Sequence, residues 1–325
     1  MLAAEQAVND LTTGEYLTQW LDHMRGRVRA TTYEGYAGLI RLYARPALGE
    51  TPLSELHPLH IQETYGELLR RGLSGGTVLN LHLVLTQALH QAVRWGLRGS
   101  NPATSAQPPR PSRAEPYVVD EDLARRILAA LGGTSVELPA AVALGTGMRR
   151  GEILALRWGD LDPGFLVAQV RRTLENTSGG IRFAPPKTKR SRRTVALPEF
   201  LRPFLERQRG DQADRRAFFA EHWREGDLIV DDGDGRPVNP RTMSSRWRFF
   251  VRRAGLPPIR FHDLRHAHAT LMLLQGVHPK VVSERLGHAS VGITLDLYSH
   301  VLPSMQTEAA RAFDRLFPSD GAPRP

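Results

Sequence analysis

Between residues 12 and 97 apolar side chains recur at three- and four-residue intervals, and no run alternates with the two-residue period of a strand. Tyr36, Leu39, Ile40 and Tyr43 share helical spacing behind Thr31-Thr32-Tyr33-Glu34, which has the form of a capping box. Pro46 and Gly49 predict the end of that helix. Leu59 to Leu69 and Val78 to Trp95 give two more amphipathic stretches, the second carrying Leu81, Val84, Leu85 and Leu89. Residues 10–99 are therefore expected to form an all-α domain.

The pattern then stops. Ser100 to Pro116 holds Pro102, Pro108, Pro109, Pro111 and Pro116 with almost no large apolar residue, so it predicts a semi-extended interdomain linker over 100–116. Arg110 and Arg113 within it would suit a path across a phosphate backbone.

A second domain is expected over 117–325. Asp120 can cap a helix with Leu123, Ile127, Leu128 and Leu131 on one face. After another helix, Phe165 to Leu174 alternates in strand fashion, and Gly179-Gly180 predicts a turn into Ile181-Arg182-Phe183. Arg193 to Leu197 supplies a third strand. Helices are predicted over Pro240–Ala254, Asp263–Leu274 with Gly276 as its stop, Pro279–Leu286 with Gly287 as its stop, and about Ser304–Leu316. The fold class is thus mainly α with one small antiparallel β-sheet, in two domains.

Composition narrows the function. At 325 residues the chain is long enough for two cores. It has no cysteine, which excludes disulfides, thiolate zinc sites and a cysteine nucleophile, and fits a reducing cytoplasm. The formal charge of +9 favours a polyanionic partner, nucleic acid before membrane. No apolar run approaches the roughly 20 residues of a membrane span. Glu5 stands where a signal peptide would be basic, so a cytoplasmic protein is expected.

The candidate chemistry is scattered. His262 and Arg265 sit three apart at a helix start and share a face, where a guanidinium could clamp a phosphate oxygen and an imidazole exchange a proton. A buried histidine beside a surface arginine would look the same. His262, His266 and His268 could instead be metal ligands, but no His-Glu-x-x-His motif or thiol accompanies them, and no metal is expected. His288 follows Gly287 just past a helix end, a place also filled by ordinary loop residues. Tyr298, ten residues on, is either packing or a nucleophile, and the second needs nearby positive charge because a phenol ionises near pH 10. Arg149 and Glu152 in TGMRRGE are again three apart, after glycines 145 and 147, either as an anion-facing pair or as a surface ion pair. Lys187, Lys189, Arg190, Arg192 and Arg193 place five basic residues in seven between two predicted strands, either against DNA or as a solvated turn.

Taken in order, Arg149, Lys187, His262-x-x-Arg265, His288 and Tyr298 resemble the tyrosine recombinase (phage integrase) family. The strings TGMRRGEILALRW, PPKTKRSRRTVALP, FHDLRHAHATLM and LGHASVGITLDLYSHV are similar to its motifs over most of 117–303. RATTYEGY, ALGETPLSEL and VRWGLRGSNPA resemble its SAM-like core-DNA-binding domain.

That resemblance implies an α+β catalytic domain in which Tyr298 attacks a DNA phosphate to give a 3′-phosphotyrosyl link. Arg149 and Arg265 would hold the non-bridging oxygens and Lys187 would protonate the leaving 5′-oxygen. His262 would act as general base or acid, His288 would donate to the phosphate, and Glu152 would support the site. Arg149 is preferred to Arg150 because it directly follows Thr-Gly-Met, and Lys187 to Lys189 because the family's lysine opens such Lys-Thr hairpins. No cofactor is implied.

Double-stranded DNA attachment sites, a homo-tetramer on synapsed DNA and an accessory excision factor are the implied partners, in the nucleoid. The family's larger members carry a further N-terminal arm-site-binding module, for which few residues precede the helical domain here. Met305, Ala309, Phe313, Leu316 and Phe317 fall near one face of a tail helix that would dock on a neighbouring protomer. Integration or excision of mobile DNA is the leading reading. A chromosome-dimer resolver, a type IB topoisomerase and a catalytically inactive DNA-binding protein of the same fold are the alternatives.

Overall fold

The computed structural model describes residues 11–111, 117, 119–186, 191–292, 294–295 and 313–314. The chain divides into two compact units, 1–115 and 116–325.

The first unit is all-helical among its described residues. Helix α1 (Thr13–Met24) opens with a capping box. Thr12 Oγ1 accepts from Glu15 N at 3.2 Å, and Glu15 Oε2 accepts from Thr12 N at 2.9 Å. The box expected at Thr31–Glu34 does not form. Helix α2 (Ala30–Leu39) already starts after Arg29, so Thr31 lies inside its first turn. Pro46 does not stop the helix either. A π-turn over Ile40–Ala44 leads into α3 (Arg45–Leu48), and the Arg45 N–H reaches back five residues to Ile40 O. That wider turn accommodates a residue that lacks an N–H and whose ring crowds the carbonyl four residues behind it.

Helices α4 (Pro58–Arg70) and α5 (Gly75–Arg94) complete the bundle. Its core joins Tyr16, Leu17 and Trp20 of α1 to Ile61 and Tyr65 of α4 and Leu81, Leu85 and Leu89 of α5. The start of the proline-rich segment belongs to this core. Ala103 and Ala106 are buried in it, and the Asn101 side chain donates to Thr86 O at 3.0 Å while accepting from Ala103 N at 2.9 Å. Small side chains bury here without the large apolar residues that mark a core in sequence. Arg110 is exposed, and Arg113 lies outside the described residues.

In the second unit Asp120 caps α6 (Glu121–Ala130), its Oδ1 accepting from Leu123 N at 2.8 Å. Helix α7 (Glu137–Thr146) is buried on nearly every side and packs along α11 (Asp263–Leu274). Helix α8 (Arg150–Ile153) is a single turn.

Four strands follow: β1 (Val167–Val170), β2 (Thr173–Thr177), β3 (Gly180–Ala184) and β4 (Arg193–Ala196). They make two antiparallel pairs rather than the one sheet expected. In one, β1 meets β4 with Val170 opposite Arg193; in the other, β2 meets β3 with Leu174 opposite Phe183. The expected strand over 165–174 breaks at Arg171 and Arg172, where Arg172 Nη1 turns to the buried Asp160 carboxylate at 2.7 Å.

Helix α9 (Arg202–Phe219) was not foreshadowed by the pattern, because Leu205 and Gln212 are its only buried residues. Gln212 anchors it, accepting from Trp158 Nε1 at 2.7 Å and donating to Leu228 O at 2.9 Å. Helix α10 (Pro240–Arg253) brings Trp247 and Phe250 into the core beside Leu264 and Ala267 of α11. Helix α12 (Pro279–Leu286) ends at Gly287, as its sequence predicts. Among the described residues no helix is long and apolar enough to cross a membrane. The expected tail helix lies outside them except for Phe313 and Asp314, which are helical.

Candidate active site

Three helix termini meet at one place. Helix α7 stops at Gly147, whose φ of +66° suits glycine. A Cβ there would stand 2.4 Å from Leu286 Cδ2 and 2.7 Å from His268 Cδ2, so the missing side chain also lets α7 approach α11 and α12. Helix α12 ends in a Schellman motif, with Gly287 at φ +68°. Its Gly287 N–H bonds Glu284 O at 3.0 Å, and the His288 N–H bonds Ser283 O at 3.0 Å. The third terminus is the entry to α11, where His262 directly precedes the helix.

Two arginines fasten these ends together. Arg265, 3% exposed, donates from Nη1 to Gly147 O at 2.6 Å and from Nη2 to Leu286 O at 2.9 Å. Arg149 donates from Nη2 to Gly287 O at 3.2 Å and from Nη1 to Glu152 Oε1 at 3.0 Å. Arg150 goes elsewhere: its guanidinium donates to Ser244 on α10. His288 shares a hydrogen bond between Nδ1 and Thr294 Oγ1 at 2.8 Å, and the His262 and His266 rings meet edge to face at 4.9 Å between centroids.

Cationic groups crowd together here and shift one another's titration. Burial first, then repulsion from Arg149, pushes Arg265 down to about 9, so it stays cationic at neutral pH. Burial, then Arg265 and Arg149, pushes His288 down to about 4. His262 is lowered by crowding of its ring, then by His266 and Arg265, although its open side lets water offset part of that push. Burial works to raise Glu152, which is 3% exposed. Arg193, Arg149 and the Arg149 backbone N–H together outweigh burial and hold it below the usual carboxylate range.

Arg193 corrects an expectation. The sequence groups it with its basic neighbours as a residue facing DNA, yet its side chain is 7% exposed and turns inward. Nη2 donates to Glu152 Oε2 at 2.9 Å, Nε to Arg285 O at 2.6 Å and Nη1 to Ser191 O at 3.0 Å. Two-residue alternation held the signal: Val195 is buried on β4, and Arg193 shares its face. Arg192 is exposed. Lys187, Lys189, Arg190 and Tyr298 lie outside the described residues.

Arg285 was not singled out in the sequence. It donates from Nη2 to Gly145 O at 3.0 Å and Ala196 O at 2.8 Å, and from Nε to His268 Nε2 at 3.1 Å. His268 Nδ1 lies 2.7 Å from Leu144 O. A carbonyl only accepts, so Nδ1 carries the proton and Nε2 accepts from Arg285. Both ring nitrogens are thereby committed within the protein, which removes His268 from any metal-ligand set with His262 and His266.

Comparison with known proteins agrees with this architecture. Residues 118–305 match the phage integrase family, and residues 12–69 match the phage integrase N-terminal SAM-like domain. A tyrosine recombinase XerC-like protein of Caldanaerobacter subterraneus subsp. tengcongensis is 30% identical, over 95% of this chain and 84% of its own. The Tn1549 transposon integrase, solved in complex with a circular intermediate DNA, has the same fold. Its TM-score is 0.79 at 21% identity, covering 93% of this chain and 99% of that one. A lambda integrase dimer bound to a COC′ core site gives a TM-score of 0.67 at 18% identity, over 91% and 79% of the two chains. The chain belongs to the phage integrase family of tyrosine recombinases, enzymes that cleave and rejoin DNA strands.

Proposed function

We propose that this recombinase integrates or excises mobile DNA at specific attachment sites. Tyr298 Oη attacks the scissile phosphorus, giving up its proton to His262. The P–O5′ bond breaks, Lys187 protonates the leaving 5′-oxygen, and a 3′-phosphotyrosyl link remains. The 5′-hydroxyl of the partner strand reverses these steps. The link retains the energy of the broken phosphodiester, so rejoining needs no nucleotide.

The observation that carries this reading is the meeting of Arg149 and Arg265 at the Leu286–Gly287 carbonyls, beside His288. Donors fixed before the charge develops are the most effective form of transition-state stabilisation. The lowered pKa values of His262 and His288 fit the same role. A neutral imidazole at His262 can accept the tyrosine proton. At His288, with Nδ1 engaged by Thr294, Nε2 is the nitrogen left to meet a phosphate oxygen. Arg149 is favoured over Arg150 because Arg150 is turned to Ser244.

The working assembly in this reading is a homo-tetramer on two duplexes in the nucleoid, with an accessory excision factor setting direction. Support for the tetramer comes from a structural relative, a lambda integrase tetramer solved on a Holliday junction.

The test is a nicked duplex spanning the junction of the element that carries the gene. Wild type should trap a covalent 3′ adduct and Tyr298→Phe should trap none. An adduct that persists in Tyr298→Phe would remove Tyr298 as the nucleophile.

A further inference from the structure

One buried cation, Arg193, reaches the proposed site only through Glu152, and the strand-cleavage steps give it no role. The Glu152 carboxylate takes three donors: Arg149 Nη1 at 3.0 Å, Arg149 N at 3.0 Å and Arg193 Nη2 at 2.9 Å. Of the two guanidinium groups, Arg149 is 37% exposed and Arg193 only 7%. One carboxylate therefore stands between an inner cation that solvent barely reaches and an outer cation that it does.

The formal charges give this arrangement its meaning. With Arg149 as its sole partner, the buried Glu152 would cancel the charge of the arginine proposed to grip the phosphate. With Arg193 present the trio carries a net positive charge, and the excess lies on the exposed member. A carboxylate at this depth without compensating charge is costly to keep ionised, which is the usual reason a buried acid gains a second cationic partner.

The rest of Arg193 is fixed. Nε donates to Arg285 O at 2.6 Å, and the Arg285 guanidinium returns to Ala196 O at 2.8 Å on the strand that carries Arg193. This reciprocal pair ties β4 to the end of α12 and sets the distance of the Arg193 charge from Glu152. Arg265 also faces this carboxylate from α11.

We infer that Arg193 is a positioning residue for strand cleavage, carrying the counter-charge of Glu152 so that the charge of Arg149 remains available to the scissile phosphate. The inference rests on the proposed strand-cleavage reading. It makes Arg193 act through Glu152 and Arg149, without touching DNA.

Because the role is one of charge, it should vanish when Glu152 is made neutral. Four proteins test it: wild type, Arg193→Gln, Glu152→Gln and the double variant Glu152→Gln/Arg193→Gln. The readout is single-turnover adduct formation on the nicked junction duplex, with affinity followed by gel shift. Arg193→Gln should lose about 10²-fold in rate, the scale of one removed oxyanion donor, while affinity changes less than about threefold. In the Glu152→Gln background the same substitution should cost less than about threefold. Arg193→Lys, which keeps the charge, should recover about tenfold of the loss.

The pH profile adds a readout that a purely structural role would not move. Among the described residues Arg149, Arg193 and Arg265 are the charged groups facing Glu152, and without Arg193 burial shifts its pKa upward. Protonated Glu152 no longer cancels Arg149. The ratio of the Arg193→Gln rate to the wild-type rate should therefore rise as pH falls.

If Arg193→Gln melts below the assay temperature, a loss of more than about threefold between Glu152→Gln and Glu152→Gln/Arg193→Gln overturns the inference. An equal cost of removing Arg193 with and without the Glu152 charge would overturn the inference. Wild type that traps no adduct would overturn the cleavage reading and this inference with it. A wild-type adduct with Arg193→Gln at full rate would overturn the inference alone.

Discussion

Arg149 and Arg265 donate to successive carbonyl groups of one helix end, Gly287 O at 3.2 Å and Leu286 O at 2.9 Å. Two like charges are thus held side by side by the chain itself.

That pairing predicts a separation of binding from chemistry. Arg265→Ala should reduce single-turnover cleavage by about 10²- to 10³-fold. Its affinity for the duplex should stay within a few-fold of wild type, because most phosphate contacts position the DNA from elsewhere. Gel shift and adduct trapping on the same duplex check both. Parallel loss of affinity and rate would count against Arg265 acting on the scissile phosphate.

Two glycines should respond with opposite sign to one methyl group. Gly147→Ala places Cβ against Leu286 and His268 in a left-handed backbone, and should destabilise the protein by about 1–3 kcal/mol. Gly210→Ala, inside α9 with nothing within 4 Å, should stabilise by about 0.5–1 kcal/mol. Urea unfolding measures both. A neutral Gly147→Ala would show that α7, α11 and α12 do not need this close approach.

His268 should make stability depend on pH. Burial pushes its folded pKa down to about 4 from an ordinary 6.5. A depressed value means the unfolded chain binds the proton more readily, so the stability is fully present above pH 6.5 and is lost as pH falls towards 4. Protonation would turn Nε2 from acceptor to donor against Arg285 Nε. At about 1.4 kcal/mol per pH unit the loss is on the order of 3 kcal/mol. His268→Gln keeps a donor and an acceptor without titrating, and should flatten the slope of unfolding free energy between pH 6.5 and 4.5. An unchanged slope would assign that pH dependence to another group.

Arg192 and Arg193 are neighbours with different expected fates on DNA. Arg192 is exposed, and if it meets a phosphate, Arg192→Gln should weaken binding alike on all sequences. The slope of log affinity against log salt should fall by about 0.9. A titration of affinity between 50 and 200 mM salt measures it, and an unaltered slope would take Arg192 off the DNA-facing surface.

What could be read from sequence follows from what each residue needs locally. The ends of α11 and α12 were legible because a left-handed terminus favours glycine, and Gly276 and Gly287 mark both. The order of Arg149, His262, Arg265 and His288 was legible as chemistry, but their meeting point was not, because it depends on backbone carbonyls that every residue has. Pro46 misled because a π-turn upstream accommodated it. Helix α9 stayed hidden because polar side chains hold it, Gln212 above all. Arg193 hid in a run of basic residues although β4 alternation already turned it inward. Composition outweighed register there, and the two small sheets were missed for a related reason, since Arg171 and Arg172 interrupt the strand to reach Asp160.

The Schellman end of α12 carries a consequence for how the protein waits for its ligand. A helix C-terminus bears roughly half a negative charge on its last carbonyls, and here Arg149, Arg265 and Arg193 donate to the Gly287, Leu286 and Arg285 carbonyls. In the proposed mechanism the helix end therefore serves as an understudy for the phosphate, keeping two mutually repelling cations in place. Each guanidinium has five N–H groups, so an arriving phosphate can join the carbonyls as a further acceptor without evicting them. In that mechanism the arrival of DNA requires little rearrangement of the arginines, and their mutual repulsion is met when the chain folds rather than when the strand is cut.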